Sequence, residues 1–328
     1  MDSDPSTFRF IIPFDCYLYS MDNYFQLSPL QRIEDDLLRK KKIELFVKRD
    51  DLLHSEVQGN KWRKLKYNLE QARLTGQTTL LTFGGAYSNH IYATAAAASL
   101  GFKTIGVIRG KESSVLSPTL QFALSKGMKL HFLSREDYRL KYEESGLNKL
   151  KNKFGDFYLV PEGGTNIHAL KGVAEIIDEL DIEFDYLCTA VGTGGTLAGL
   201  VAALKGQKQA IGFSSLKGDD TLTATVHKLV SEFSDGNYNH FSINFDYHFG
   251  GYARVKPDLI DFIKYFKYRY GIPLEPVYTG KMFYGIFDLI KKDYFPPGSR
   301  IIALHTGGLQ GLRGFGNYFS ESELSTMF

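Results

Sequence analysis

An α/β fold built from mostly parallel sheets flanked by helices is predicted by three observations. Strand-like and helix-like segments alternate through the middle of the chain, as parallel strands joined by helical crossovers require. Several strand runs are apolar on both alternations, as in Leu80-Leu81 and Ile301-Ile302, which suits sheets covered on both faces. With 328 residues, 43% hydrophobic and 23% charged, the chain can bury more than one core, so two domains are expected.

Strands are read at 79–83, 104–108, 129–133, 157–160, 186–191, 210–214 and 301–305, with helices between them at 62–74, 89–100, 117–125, 166–180 and 196–204. The first helix is carried by the apolar stripe Trp62, Leu65, Leu69 and Ala72. Arg63, Lys64 and Lys66 fall on its other faces, as in a solvated basic helix start, and Gly76 closes it. Gly101, Gly127 and Gly206 stand at helix stops. The segment 218–245 has only weak periodicity, and no internal repeat or low-complexity linker is found.

Composition narrows the function. A net charge of +2 with both signs interspersed gives no field for nucleic acid or an anionic membrane, so a small molecule is the expected partner. No apolar run approaches a membrane span, and residues 1–20, with Asp2, Asp4 and Asp15, do not read as a secretory signal. Cys16 and Cys188 are the only cysteines, Cys188 reads as a core thiol, and a cytoplasmic location is expected. The eight histidines show no His-Glu-x-x-His pattern, Cys-x-x-Cys is absent, and no metal site is expected. There is no Gly-x-Ser-x-Gly elbow for a serine hydrolase.

The chemistry concentrates in a few turns. In Gly59-Asn60-Lys61-Trp62-Arg63-Lys64, Lys61 stands between a turn and a helix, where partial burial and the nearby Arg63 and Lys64 would lower its pKa and make the amine a nucleophile. The turn Gly192-Thr193-Gly194-Gly195-Thr196 follows an apolar strand and opens a small-residue helix, so its amides and hydroxyls suit a phosphate. Leu197 stands where a dinucleotide fingerprint wants glycine, which favours a single terminal phosphate. Gly84-Gly85-Ala86-Tyr87-Ser88-Asn89-His90 is a second such turn, with Ser88 or Asn89 either an N-cap or a carboxylate binder. His305-Thr306-Gly307-Gly308 follows the last strand. Tyr252 and Tyr278, bounded by glycine or proline, are placed on loops where phenols can stack or transfer protons, while Tyr268 and Tyr270 get a packing role. Asp50-Asp51 reads as a salt-bridged strand end.

In order, Lys-Arg-Asp-Asp, Gly-Asn-Lys-x-Arg-Lys, Ser-Asn-His, Gly-Thr-Gly-Gly-Thr, Pro-Val-Tyr-Thr-Gly-Lys and His-Thr-Gly-Gly resemble the D-cysteine desulfhydrase and 1-aminocyclopropane-1-carboxylate deaminase family, over residues 28–312. The resemblance implies a fold type II pyridoxal-phosphate enzyme similar to the tryptophan synthase β subunit, usually a homodimer. Residues 1–62 and 167–328 would form the large cofactor-binding domain and 63–166 a small inserted one. It implies Lys61 as the Schiff-base lysine, Lys64 and Gly192 to Thr196 at the phosphate, Asn89 at the cofactor's ring hydroxyl, and Thr279 facing its pyridine nitrogen. Tyr252 and Tyr278 would be active-site tyrosines, one stacked near the ring, and Ser88, Asn89, His90 and Thr306 would meet a small amino-acid substrate. Thr279 and Thr306 resemble the desulfhydrase side, where ring-opening deaminases have glutamate and leucine. Tyr87 departs from the family's usual glutamine beside the carboxylate pocket. The implied reaction is β-elimination from D-cysteine. Deamination of 1-aminocyclopropane-1-carboxylate is the alternative, and a catalytically silent phosphate-ligand binder is a further one.

Overall fold

The computed structural model describes residues 28–218 and 220–327; the readings made on residues 1–20 and Cys16 lie outside the described residues. In chain order the strands are β1 (Leu30–Ile33), β2 (Glu44–Lys48), β3 (Thr79–Gly84), β4 (Lys103–Arg109), β5 (Lys129–Leu133), β6 (Tyr158–Val160), β7 (Tyr186–Val191), β8 (Gln209–Ser214), β9 (Phe241–Asn244) and β10 (Arg300–Leu304). They form a six-stranded sheet ordered β1-β2-β10-β7-β8-β9 and a four-stranded sheet ordered β5-β4-β3-β6. Every pairing is parallel except β1 with β2. The expected α/β architecture is therefore present, with all strands of the smaller sheet falling in the chain between β2 and β7.

Burial on both faces of the larger sheet explains its doubly apolar strands. Ile301 and Ala303 turn into one core with Leu45, Val47 and Cys188, whereas Ile302 and Leu304 turn into the other with Leu187 and Leu197. Cys188 is a buried free thiol whose pKa is raised by burial, as a core residue should be. Sequence patterning gave no range for β1, β2 and β9, short strands at or near the sheet's edge, although the strand end read at Asp50-Asp51 falls just after β2. It also left open the segment that folds as the helix Leu222–Phe233 followed by β9. Of the two tyrosines assigned to packing, Tyr270 does pack, its ring 4.7 Å from Phe266 and its hydroxyl donating to Asp35 at 2.7 Å. Tyr268 is 90% exposed on the opposite side of the same helix and packs against no core.

The expected solvated face on the helix Asn60–Leu74 is also corrected. Arg63 and Lys64 are both buried. Gly172 in the helix Ile167–Asp178 lies so close that a Cβ there would collide with the Arg63 carbonyl, so the two helices meet with no side chain between them. The Arg63 guanidinium is thereby turned onto Asp50, at 3.1 Å, and Glu179, at 2.8 Å. Burial works against its charge, but the two carboxylates outweigh this and raise its pKa. Lys48 joins the cluster by pairing with Glu179 at 2.8 Å, and Arg49 pairs with Asp51 at 2.7 Å, which makes Asp50-Asp51 an ion-paired turn after β2. This buried network anchors the start of the helix that carries Lys61.

Candidate active site

A cavity of about 610 Å³ opens at the carboxyl ends of both sheets, where ligands collect in parallel α/β structures. Its walls are the turns after β3, β6, β7 and β10, together with the start of the Lys61 helix, Tyr252 and Tyr278.

Lys61 stands in the first turn of the helix Asn60–Leu74, reached through Gly59 at φ +57°. A Cβ on Gly59 would fall on the Thr306 carbonyl, and one on Gly307 would lie 2.7 Å from the Gln58 side chain. The two glycine turns therefore lie backbone against backbone, which carries the lysine up to the turn after β10. Lys61 Nζ donates to Asn60 Oδ1 at 2.9 Å, and Asn60 Nδ2 donates to Thr196 Oγ1 at 2.9 Å. Burial lowers the amine's pKa to about 8, against an opposing pull from Glu275. The expected contribution of Arg63 and Lys64 is corrected: the Arg63 charge is neutralised by Asp50 and Glu179, Lys64 adds no resolved effect on Lys61, and desolvation does the work.

The anion pocket is assembled from two turns. Gly194, at φ +83°, caps the helix Gly195–Leu204, which presents its amino terminus and the Thr196 hydroxyl. Opposite it, the turn after β6 brings Thr165, whose hydroxyl lies 2.6 Å from that of Thr193. Lys64 Nζ donates to two atoms of the turn after β6, Thr165 Oγ1 at 3.1 Å and the Gly163 carbonyl at 3.3 Å, and lies close to the glycine turn, where a Cβ on Gly195 would stand 3.1 Å from it. Burial, and then Lys61, push the Lys64 amine well below its ordinary pKa, a displacement that an anion placed beside it would oppose by favouring the ammonium form. Gly192, Thr193, Gly194 and Thr196 line the cavity, while Gly195 lies just behind them as the first helical residue. Thr165 escaped sequence reasoning because no periodicity links it to the glycine turn.

Across the cavity, Ser88 is the N-cap of the helix Asn89–Ala96, its Oγ accepting from His90 N at 3.2 Å and Ile91 N at 3.3 Å. Both bonds use acceptor lone pairs, which leaves the hydroxyl proton for a ligand carboxylate. The N-cap and ligand roles are thus compatible in one residue. Asn89 Oδ1 accepts from Gln310 Nε2 at 2.9 Å, which holds the amide against the turn after β10 and leaves Nδ2 as a donor. His90 lines the cavity but is buried; its Nε2 lies 2.8 Å from Thr82 Oγ1, whose own proton goes to the Val160 carbonyl. Nε2 must then carry the imidazole proton, and Nδ1 is an acceptor with no hydrogen-bond partner among the described residues. Burial, then Lys61 and Lys64, keep the ring neutral by lowering its pKa. Tyr87 lines the mouth, 54% exposed, against Gly314.

Tyr252 and Tyr278 meet edge to face, with ring centroids 6.0 Å apart and planes at 70°. Both phenols are raised in pKa, chiefly by burial, and Tyr278 further by Tyr252 and Glu275. The expected loop at Tyr278 ends there, since Thr279 already begins the helix Thr279–Lys291. Thr279 is fully buried and is not part of the cavity wall; its hydroxyl accepts from Glu275 N at 3.0 Å. Thr306 does line the cavity. Glu275, which no motif picked out, accepts from the amides of Val277, Tyr278 and Thr279 at 2.8, 2.7 and 2.7 Å. Burial raises its pKa, opposed by these amide bonds. Among the described residues no cluster of histidine, cysteine, aspartate and glutamate is arranged to hold a metal ion, and no helix is long and apolar enough to cross a membrane.

A lysine amine of lowered pKa beside a glycine- and threonine-rich helix start, at the mouth of two parallel sheets, is an arrangement suited to an aldehyde-bearing phosphate ester. The chain belongs to the family of pyridoxal-phosphate dependent enzymes, whose model matches residues 25–307. Within that family it is 33% identical over 289 residues to a protein of Pyrococcus furiosus named putative 1-aminocyclopropane-1-carboxylate deaminase, covering 84% of this chain and 87% of the other. It is 32% identical over 298 residues to the Arabidopsis thaliana mitochondrial protein named bifunctional D-cysteine desulfhydrase/1-aminocyclopropane-1-carboxylate deaminase, covering 82% and 73% of the two chains. The crystal structure of a homologue of 1-aminocyclopropane-1-carboxylate deaminase superposes with a TM-score of 0.79 at 29% identity, over 94% of this chain and 99% of that one. The protein is a fold type II pyridoxal-phosphate enzyme, a lyase of the 1-aminocyclopropane-1-carboxylate deaminase and D-cysteine desulfhydrase type.

Proposed function

We propose that the protein carries out β-elimination on a small D-amino acid, with D-cysteine as the type substrate: D-cysteine and water give pyruvate, ammonia and hydrogen sulfide. The observation that carries the proposal is the Lys61 amine, lowered to a pKa of about 8, in a cavity shared by one phosphate turn and one carboxylate turn. Lys61 holds the cofactor, and Lys64, Thr165, Thr193, Thr196 and the amides of the 192–196 turn hold its phosphate. Asn89 Nδ2 binds its ring hydroxyl. When bound, pyridoxal phosphate supplies the electron sink that stabilises negative charge on the substrate's α-carbon. Ser88 Oγ and the adjoining amides fix the substrate carboxylate. Lys61 Nζ carries the proton taken from the α-carbon, and the Tyr278 and Tyr252 phenols, kept protonated by their raised pKa values, orient the substrate and donate hydrogen bonds toward the departing sulfur.

Thr306 at the cavity supports elimination over ring opening, whereas Thr279, buried outside the cavity wall with its hydroxyl on Glu275, does not take the expected place facing the pyridine nitrogen and supports neither reaction. The names of the relatives favour 1-aminocyclopropane-1-carboxylate deamination as the second reading. A domain division into 1–62 with 167–328 and 63–166 is supported by the two sheets, whose strands fall on either side of it. A cytoplasmic homodimer completes the proposal, tested by light scattering on the purified protein and by cell fractionation.

The deciding experiment is to isolate the protein with its cofactor, reduce it with borohydride and map the labelled peptide. The label is expected on Lys61, and a label elsewhere overturns the site. Sulfide from D-cysteine without ketobutyrate from the cyclopropane substrate supports elimination, and the opposite pattern selects deamination. A labelled Lys61 with neither product leaves a silent ligand binder.

A further inference from the structure

Lys281 is a fully buried lysine, 1% exposed, that takes no part in the site described above. It lies in the first turn of the helix that begins at Thr279, three residues after Tyr278. Its Nζ donates to the carbonyls of His248 and Gly251, both at 2.8 Å. Those carbonyls bracket a contorted stretch: Phe249 at φ +52°, Gly250 at +101°, Gly251 at +118° and, after Tyr252, Ala253 at +55°. Non-glycine residues in this region cost about 1–3 kcal/mol each and persist only where the surroundings hold them.

The two carbonyls do not need the lysine to be satisfied. His248 O already accepts from Gly251 N at 3.0 Å, and Gly251 O from Arg254 N at 3.1 Å. An apolar side chain would fill the space without desolvating an amine, whose pKa burial lowers to about 8. What the ammonium adds is a tie between the helix that starts behind Tyr278 and the loop that bears Tyr252. Tyr252 is 43% exposed, so its place over the cavity depends on its backbone.

We propose that Lys281 is a positioning residue: it clamps the 248–253 loop to the helix start and so sets Tyr252 against Tyr278 across the substrate cavity. The inference rests on the reading that Tyr252 acts in the site.

The test uses K281M, with K281Q as a second variant in case methionine impairs folding, each made alone and combined with Y252F in the cofactor-loaded protein. Hydrogen exchange of the amides at 249–254 is expected to accelerate at least about tenfold, with the helix Thr279–Lys291 and β8 unchanged. In the wild-type background kcat/KM for the preferred amino acid should fall about tenfold, yet fall less than about twofold in the Y252F background, with the borohydride label still at Lys61. Faster exchange throughout the helix, or equal losses in both backgrounds, would show a packing role and overturn the clamp. Faster loop exchange with Y252F itself as active as wild type would keep the clamp and remove Tyr252 from the mechanism instead.

Discussion

Replacing Lys61 by methionine should make the cofactor-free protein more stable at neutral pH. In the folded state the amine has a pKa of about 8, against 10.5 as the ordinary value. Below pH 8 the folded protein therefore carries a buried charge that the unfolded chain holds in water. At about 1.4 kcal/mol per pKa unit, the displacement sets a ceiling of about 3 kcal/mol of destabilisation at pH 7. The unfolded state binds more protons between pH 8 and 10.5, so stability rises with pH in that window. The same linkage leaves about 1.4 kcal/mol of penalty at pH 9.5. Methionine also deprives Asn60 Oδ1 of its donor, at a cost of about 1 kcal/mol. The net expectation for K61M is thus a gain of about 2 kcal/mol at pH 7, falling to near zero at pH 9.5. Urea unfolding of the two cofactor-free proteins at both pH values measures it. A K61M protein less stable than wild type at pH 7, or a difference that does not change with pH, would refute the assignment of the lowered pKa to desolvation of the amine.

K64A should weaken pyridoxal-phosphate retention about 10- to 100-fold, the loss of one or two hydrogen bonds to a charged group, while folding is preserved; cofactor titration by visible absorption checks it. D50N should cost about 3–5 kcal/mol in urea unfolding, because the Arg63 charge stays buried with one carboxylate fewer. G59A should abolish labelling of Lys61 by the cofactor and borohydride, since the new Cβ meets the Thr306 carbonyl and the residue's φ is positive. The labelled peptide map would read it directly.

What could be seen in the sequence was whatever glycine punctuates. Both anion turns and Lys61 stand beside glycines whose absent side chains allow close approach, and those turns do line one cavity. What escaped was created by tertiary contact. Arg63 looked like an exposed cation because helical periodicity cannot report that a neighbouring helix carries Gly172 at the point of contact. Glu275 looked like one acid among many, and only folding gathers three amides around it. Tyr252 was placed correctly on a loop, but nothing local indicated that a lysine some thirty residues away holds that loop.

The phosphate pocket makes the same point more sharply. Its half from the larger sheet, Gly192 to Thr196, announces itself by composition, whereas its other half comes from the turn after β6 in the smaller sheet. That turn needs positive φ at Gly163, +68°, and Gly164, +71°, to bring Thr165 to Thr193. Lys64, one helical turn beyond Lys61, bonds the half from the turn after β6 and lies beside Gly195 of the other. A bound phosphate would therefore tie the two sheets together at the point where the nucleophile enters the cavity. On the proposed assignment, the contact that would hold the cofactor would also set the width of the cleft lined by Ser88, Asn89 and the two tyrosines. Under the same assignment, cofactor binding and cleft geometry would be coupled through Lys64 and Thr165, which join the turn after β6 to the neighbourhood of the glycine turn.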